Sequence, residues 1–232
     1  MVNIGVAAEG VTDQQLIERL LTALCDTSEK PNVNYLQPPT PQKPGNWDQL
    51  LQYIRSERFR GAFATNDFVV IQIDTDVCEQ FTPPIRRTDA NGQIPTETLI
   101  EQVRQHLIAR IESTAPGYYE QRKSQILFAI AVHSIECWLL PLYCDRDNQK
   151  KRQDNCLSLL NQKLTPLGFS VDENSKGKGY TRLLKDDKIR KLKRNTVLEI
   201  SPHNPGFLDF VAQVEAQINT PAPGEPDAAK EP

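Results

Sequence analysis

Apolar residues follow two patterns that alternate along the chain. Short continuous apolar runs, typical of strands buried on both faces, occur over 2–8, 68–73 and 126–132, and a weaker one over 32–37. Between and after these runs, apolar residues recur every three or four positions, which predicts amphipathic helices. The helical positions are Leu16, Leu20, Leu21, Leu24; Trp47, Leu50, Leu51, Ile54; Leu99, Ile100, Val103, Leu107, Ile111; Phe207, Phe210, Val211, Val214, Ile218.

Local signals indicate where some of these elements begin. Thr12 and Gln15 have the spacing of a capping box, and Ser134 is positioned to cap a helix that starts near His133. Residues 78–95 have no clear period and are predicted to form a loop.

The order of the elements predicts the fold class. Strands alternate with helices over residues 1–144, which favours an α/β fold with a mainly parallel four-stranded sheet and helices on both faces. Residues 145–219 are predicted to be a helical, basic extension packed on this core. Residues 220–232, rich in Pro, Ala and Glu, are predicted to be a disordered tail.

Composition excludes several classes of protein. The chain has 232 residues and a net charge of −3, so one domain is expected and any surface for nucleic acid must be local. The longest apolar run, 126–132, is far shorter than the roughly 20 residues of a membrane helix, and no secretory signal is visible. The five cysteines contain no C-x-x-C pair, which favours reduced thiols in the cytoplasm over a zinc site or disulfide framework.

Acidic residues follow three of the predicted strands. Glu9 follows the first, Asp74 and Asp76 follow the third, and Glu136 comes just after the fourth. Parallel strands end at one edge of a sheet, about 4.8 Å apart, so these four carboxylates are expected to gather there. Such oxygen ligands suit Mg²⁺ or Mn²⁺. The alternative for each residue alone is a turn or a helix N-terminus.

A basic segment lies in the C-terminal extension. Residues 176–194 contain nine Lys or Arg residues, and the candidates for gripping backbone phosphates are Lys176, Lys178, Arg182, Lys188, Lys191 and Lys193. The alternative is a solvated helix face. His133 is more simply a hydrogen-bonded residue at a strand end than a site residue, and Trp138 is most simply core.

Three segments resemble motifs of one domain family. VAAEGVTD at 6–13 resembles the glutamate motif of the Toprim domain, and VVIQIDTD at 69–76 resembles its Asp-x-Asp motif. HSIECWLL at 133–140 resembles the Ser-Ile-Glu segment of stand-alone Toprim proteins from bacterial phage-defence loci, of which the OLD-like and RloB-like nucleases are examples. NPGF at 204–207 also resembles a C-terminal motif of such small proteins.

The resemblance implies roles for the four acidic residues. Glu9 would be a metal ligand or the general acid/base, Asp74 and Asp76 would hold metal ions, and Glu136 would complete a second metal site. The implied reaction is metal-assisted hydrolysis of a phosphodiester in DNA or RNA. No topoisomerase-type tyrosine nucleophile is evident, and Tyr118 and Tyr119 are readily explained as loop or packing residues. The chain lacks a G-x-x-x-x-G-K-[ST] motif, so any ATPase would be a separate partner.

Three hypotheses about function remain open at this point. The first is a Mg²⁺-dependent nuclease in anti-phage defence or acting as a toxin-like effector. The second is a non-catalytic Toprim-like module that binds nucleic acid or a partner protein. The third, a nucleotidyl-transferring or primase-like activity, lacks any companion polymerase-like segment. The intact set of Glu9, Asp74, Asp76 and Glu136 favours the enzyme.

Overall fold

A four-stranded, all-parallel sheet forms the centre of the molecule. The computed structural model describes residues 1–26, 29–40, 45–90, 92–171 and 178–220. The strands of the sheet lie in the order β2-β1-β3-β6, and a separate hairpin pairs β4 with β5. The strands are β1 (Asn3–Ala7), β2 (Asn32–Gln37), β3 (Phe68–Asp74), β4 (Thr88–Asp89), β5 (Gly92–Gln93) and β6 (Ile126–Ala131). The predicted α/β class and parallel sheet are confirmed.

Helices connect the strands and follow the last one. Those up to the end of β6 are α1 (Val11–Leu24), α2 (Trp47–Ile54), α3 (Glu57–Ala62), α4 (Thr96–Glu112) and α5 (Tyr118–Arg122). Those after β6 are α6 (Leu140–Tyr143), α7 (Asp147–Lys150), α8 (Cys156–Leu164), α9 (Lys178–Lys185), α10 (Asp187–Arg190), α11 (Arg194–Ile200) and α12 (Pro205–Val214). Short 3₁₀ helices cover Thr75–Gln80, Ile135–Trp138, Thr165–Leu167 and Ser201–His203, and a π-helical turn, Glu215–Asn219, follows α12.

Both faces of the sheet are covered because its strand residues alternate between two apolar cores. On β3, Val69 and Ile71 enter the core formed with α2, α3 and α4, whereas Val70 enters the core formed with α1 and the C-terminal helices. On β6, Phe128 enters the core formed with α2, α3 and α4, and Leu127 enters the core formed with α1 and the C-terminal helices. Helices of the predicted extension therefore supply one of the two layers that bury the sheet.

The predicted caps of two helices are wrong. Helix α1 begins at Val11 with Gly10 as its N-cap, so Thr12 lies inside the first turn and no side chain caps the helix. Ser134 does precede a helix, but this is the 3₁₀ turn Ile135–Trp138, and the Ser134 side chain makes no capping hydrogen bond. The predicted loop over 78–95 contains the end of a 3₁₀ helix and the β4–β5 hairpin.

The structure contradicts part of the prediction for the cysteines. Cys137 and Cys156 form a disulfide, so the prediction of reduced thiols is wrong for this pair, while Cys25, Cys78 and Cys144 are free. The two cysteines are 19 residues apart, and only the packing of α8 against the 3₁₀ turn brings them together.

Within the described ranges, no helix has both the length and the apolar character needed to cross a bilayer. Of the predicted tail, 220–232, only Thr220 is among the described residues.

Candidate metal-binding cleft

The ends of β1 and β3 are joined directly through the first acidic residues. The backbone N–H of Asp74 donates a hydrogen bond to Oε1 of Glu9 at 2.7 Å. Gln72, buried in β3, donates from Nε2 to Oδ1 of Asp74 at 2.8 Å. Because β1 and β3 are adjacent parallel strands, these residues lie at the carboxyl edge of the sheet, where ligands of such folds bind.

The end of β6 is tied to the same edge by backbone hydrogen bonds. The N–H of His133 donates to Oγ1 of Thr75 at 2.8 Å, and the N–H of Asp76 donates to the carbonyl oxygen of His133 at 3.2 Å. His133 takes a positive φ of 64°, which is uncommon outside glycine and turns the chain sharply after the strand. Glu136, in the first turn that follows, is buried.

One cleft of about 1060 Å³ contains all four predicted acidic residues. Glu9, Asp74, Asp76 and Glu136 line it together with a fifth carboxylate, Asp13. Sequence reasoning did not select Asp13 as a site residue, although it lies within the quoted glutamate motif. The signal was available, since an acid in the first turn of a helix that directly follows a strand must lie near that strand's carboxyl end.

Crowding and burial change the protonation of these groups. Burial, followed by the nearby charges of Asp13 and Asp76, raises the pKa of Glu9 to about 8, although the N–H of Asp74 opposes the shift. Burial and the charge of Glu136 raise the pKa of Asp13 to about 7. The pKa of Asp74 is raised well above its usual range by burial and by all four neighbouring carboxyl groups. Without a bound cation, the equilibria of Glu9, Asp13 and Asp74 are therefore shifted toward the protonated forms.

The donor set of the cleft suits a hard divalent cation. Carboxylate oxygens are the ligands that Mg²⁺ and Mn²⁺ take, and a cation would offset the repulsion that raises these pKa values. Among the described residues, however, no group of three or more His, Cys, Asp or Glu side chains is already arranged to hold a metal ion. Mg²⁺ commonly uses one or two carboxylates and several waters, so the chemistry of the residues present fits the ion.

Helix α8 and the residues that flank it, Asn155 and Thr165, supply an uncharged part of the cleft lining, which we call the α8 wall. It consists of Asn155, Leu157, Ser158, Asn161, Gln162 and Thr165. Tyr180, from the first turn of α9, lines the cleft as well. Sequence reasoning missed these residues, because nothing in the pattern of α8 shows which element its polar face meets.

Of the residues predicted to contact phosphates, none that the structure describes lines this cleft. Lys188 and Lys191 border a separate depression of about 400 Å³, where Lys191 pairs with Asp187 at 2.7 Å. Nζ of Lys188 donates to the carbonyl oxygen of Leu142 at 2.6 Å. Arg182 lies over the ring of Phe169, and Lys178 and Lys193 are exposed. Lys176 lies outside the described residues.

Trp138 and His133, both in the Ser-Ile-Glu segment, have different positions: one is in the core and the other is in the cleft. Trp138 is fully buried and stacks on Phe207, with ring centroids 4.8 Å apart, so it is a core residue. His133 lines the cleft, and its buried Nδ1 has no hydrogen-bond partner among the described residues.

Fold and cleft together define the class: an α/β protein with an acidic cleft at the carboxyl edge of a parallel sheet. No protein-family model, curated protein or solved structure matches the chain.

Proposed function

We propose that this chain is a Toprim-type nuclease that uses Mg²⁺ or Mn²⁺ to hydrolyse phosphodiester bonds of DNA or RNA. The observation that carries the proposal is the convergence of five carboxylates from three strand ends and one helix in a single cleft. A folded chain has no structural need for so many mutually repelling acids at one edge, and burial without a cation raises the pKa values of Glu9, Asp13 and Asp74.

Each acidic residue has a role in this proposal. Glu9, Asp74, Asp76 and Glu136 would hold the metal ions. When bound, the ions would polarise the phosphate and lower the pKa of the attacking water. Glu9 would serve either as one of these ligands or as the general acid/base. In the second role it would use Oε2, because its Oε1 accepts the N–H of Asp74.

The proposal includes a setting and partners. Anti-phage defence or a toxin-like role in the cytoplasm would supply nucleic acid as substrate, with any ATPase as a separate partner. The Cys137–Cys156 disulfide is the feature least typical of that compartment.

A non-catalytic binding module is the second candidate. The observation in its favour is that no described group of three acidic, His or Cys side chains stands ready to hold a metal. A binding module would need the cleft for contact but would not need its charges for turnover.

Charge removal at Glu136 distinguishes the two candidates. Glu136→Gln keeps the size of the side chain but removes the charge that a second divalent ion needs. We expect cleavage of labelled DNA or RNA in Mg²⁺ or Mn²⁺ to fall by a factor of 100 or more, while the melting temperature holds or rises.

Glu57→Gln is the matched control, because Glu57 is also an acid in the first turn of a helix but is exposed and is not among the residues lining the cleft. It should cut as well as wild type. Equal cleavage by Glu136→Gln and wild type would contradict the second metal site, and metal-independent cleavage would contradict the use of Mg²⁺ or Mn²⁺. Absence of cleavage by wild type with either metal would contradict the nuclease proposal and favour the binding module.

A further inference from the structure

The α8 wall differs in chemistry from the rest of the cleft. It carries amide and hydroxyl groups and the apolar side chain of Leu157, and the ring of Tyr180 lies in the same cleft. Ser158 and Gln162 are exposed and four residues apart, so they share one face of the helix. No Lys or Arg is among the described residues that line the cleft. The wall therefore lacks the cations that supply most of the electrostatic attraction to phosphates, and its polar groups are neutral donors and acceptors.

The wall is held rigidly by contacts that do not use its exposed groups. Asn161 donates from Nδ2 to the carbonyl oxygen of Val171 and accepts the N–H of Val171 at Oδ1, both at 2.7 Å. These two hydrogen bonds fix the segment after α8 against the helix. Asn161 therefore positions its neighbours, whereas Ser158 and Gln162 remain exposed at the cleft.

Tyr180 is held beside the wall by the residue before it. A Cβ on Gly179 would lie 2.4 Å from the carbonyl oxygen of Ser170 and 2.9 Å from Cα of Val171, so only glycine allows this close approach. The first turn of α9 thus rests on the same segment that Asn161 fixes. Tyr180 is half-buried, which leaves part of its surface for contact in the cleft.

This set of groups matches a nucleobase. Amides and hydroxyls pair with the donors and acceptors of base edges, and aromatic rings stack on base faces. The cleft, at about 1060 Å³, is large enough for a nucleotide unit. A base in a duplex is stacked and paired, so it reaches such a wall only after leaving the stack.

We infer that the α8 wall and Tyr180 bind an unpaired base next to the scissile phosphate, and that the substrate is a single strand or an unpaired loop. The inference rests on the proposed nuclease function and adds its substrate class. The groups that contact the base are Ser158, Gln162 and Tyr180, with Asn155 at the start of α8.

Binding of three labelled probes tests this inference, with Ca²⁺ as the oxygen-ligated cation in place of Mg²⁺ so that the proposed cleavage does not consume the probes. The probes are a 20-nucleotide single strand, the duplex of the same sequence, and a 20-unit strand of abasic sites that keeps the phosphates and lacks the bases. Wild type should bind the base-containing strand about tenfold or more tightly than the abasic strand, and more tightly than the duplex, by fluorescence anisotropy. DNA and RNA versions of the single strand show which sugar is preferred.

Variants of Tyr180 connect the effect to the wall. Tyr180→Ala should weaken binding of the base-containing strand by roughly 5- to 150-fold, which is the range for one stacked base. Tyr180→Ala should leave binding of the abasic strand unchanged. Tyr180→Phe keeps the ring and should bind like wild type. Tyr118→Ala is the matched control, because Tyr118 is also half-buried but belongs to the layer on the other face of the sheet.

Ser158→Ala and Gln162→Ala provide a second measurement, because both side chains are exposed and their loss disturbs no buried contact. Each variant should weaken binding of the base-containing strand and leave binding of the abasic strand unchanged. Equal binding of the abasic and base-containing strands, or an equal loss for both in Tyr180→Ala, would overturn the inference and leave the proposed function standing. If no probe binds with or without Ca²⁺, and none is cut in Mg²⁺, the proposed function and the inference both fail.

Discussion

Glu9 and Asp13 lie on either side of the junction between β1 and α1, and each holds a proton that an exposed carboxyl group would release. Their pKa values of about 8 and about 7 arise first from burial and then from neighbouring acids. In the unfolded chain both groups would have pKa values of about 4. At pH values between the unfolded pKa and the folded pKa, the folded protein binds more protons than the unfolded chain. Folding and proton uptake are therefore linked.

The stability of the metal-free protein should therefore fall as pH rises. A carboxyl group whose pKa is raised in the folded protein makes its full contribution to stability below its unfolded pKa of about 4. That contribution is lost as the pH rises through the folded pKa. In EDTA, we expect the melting temperature to decrease by several degrees between pH 5 and pH 8. Adding Mg²⁺ should raise it more at pH 8 than at pH 5, because the cation requires ionised carboxylates.

Glu9→Gln should reduce this pH dependence, since it removes one of the titrating groups. Glu57→Gln should retain it, because Glu57 is exposed on α3. A melting temperature that stays constant, or increases, over this pH range in EDTA would contradict the raised pKa values.

At the scale of elements, α12 is fixed to β6 by its first turn. Asn204 caps α12 by accepting the N–H groups of Gly206 and Phe207 at 3.1 and 3.3 Å, and it is itself buried. A Cβ on Gly206 would lie 2.1 Å from the backbone oxygen of Ile130. The NPGF segment therefore has a structural explanation: its Asn begins the helix and its Gly lets the helix touch the strand that leads to Glu136.

Gly206→Ala should destabilise the protein by more than about 2 kcal/mol, because neither backbone can move without opening the core. Gly61→Ala is the matched change within a helix, where an added Cβ meets nothing within 4 Å. It should be neutral or stabilise by up to about 1 kcal/mol. Urea unfolding of both variants measures the difference. Equal effects would show that the approach of α12 to β6 is not tight.

The molecule as a whole separates its charges between the acidic cleft and the basic C-terminal segment. That segment is less cationic than its sequence indicates, because Asp187 pairs with Arg190 at 2.6 Å and with Lys191 at 2.7 Å. Exposed Lys178 and Lys193, with Arg182, are the better candidates for contact with phosphates. The segment would therefore contribute fewer phosphate contacts than its nine basic residues imply.

The salt dependence of binding measures those contacts. Replacing Lys178, Arg182 and Lys193 with Ala should flatten the slope of log K against log salt by about 2, since each contact contributes about 0.7 for a single strand. Lys191→Ala should change it by less than about 0.5, because Asp187 already offsets that charge. An unchanged slope in the triple variant would favour the solvated helix face instead.

Short apolar runs between helical patterns predicted β1, β3 and β6, whereas half of the residues in β2 are polar and gave only a weak strand signal. The pattern was also sufficient to place four acids at strand ends, since the carboxyl ends of parallel strands share an edge. Asp13, the α8 wall and the Cys137–Cys156 disulfide depend on which elements pack together far along the chain. The capping box failed because Gly10 starts α1 before Thr12 can cap it.

The disulfide makes a closed covalent ring of the chain from Cys137 to Cys156. Trypsin sites at Lys150, Lys151 and Arg152 lie inside this ring, with Lys151 exposed. A single cut there would leave the two fragments linked, so the nicked protein should run as one species on a non-reducing gel and as two after dithiothreitol. Cys156→Ala should separate into two fragments without reductant. The residues beside the ring closure, Glu136 and Asn155, would thus stay joined across the cleft even in a protein with a broken backbone.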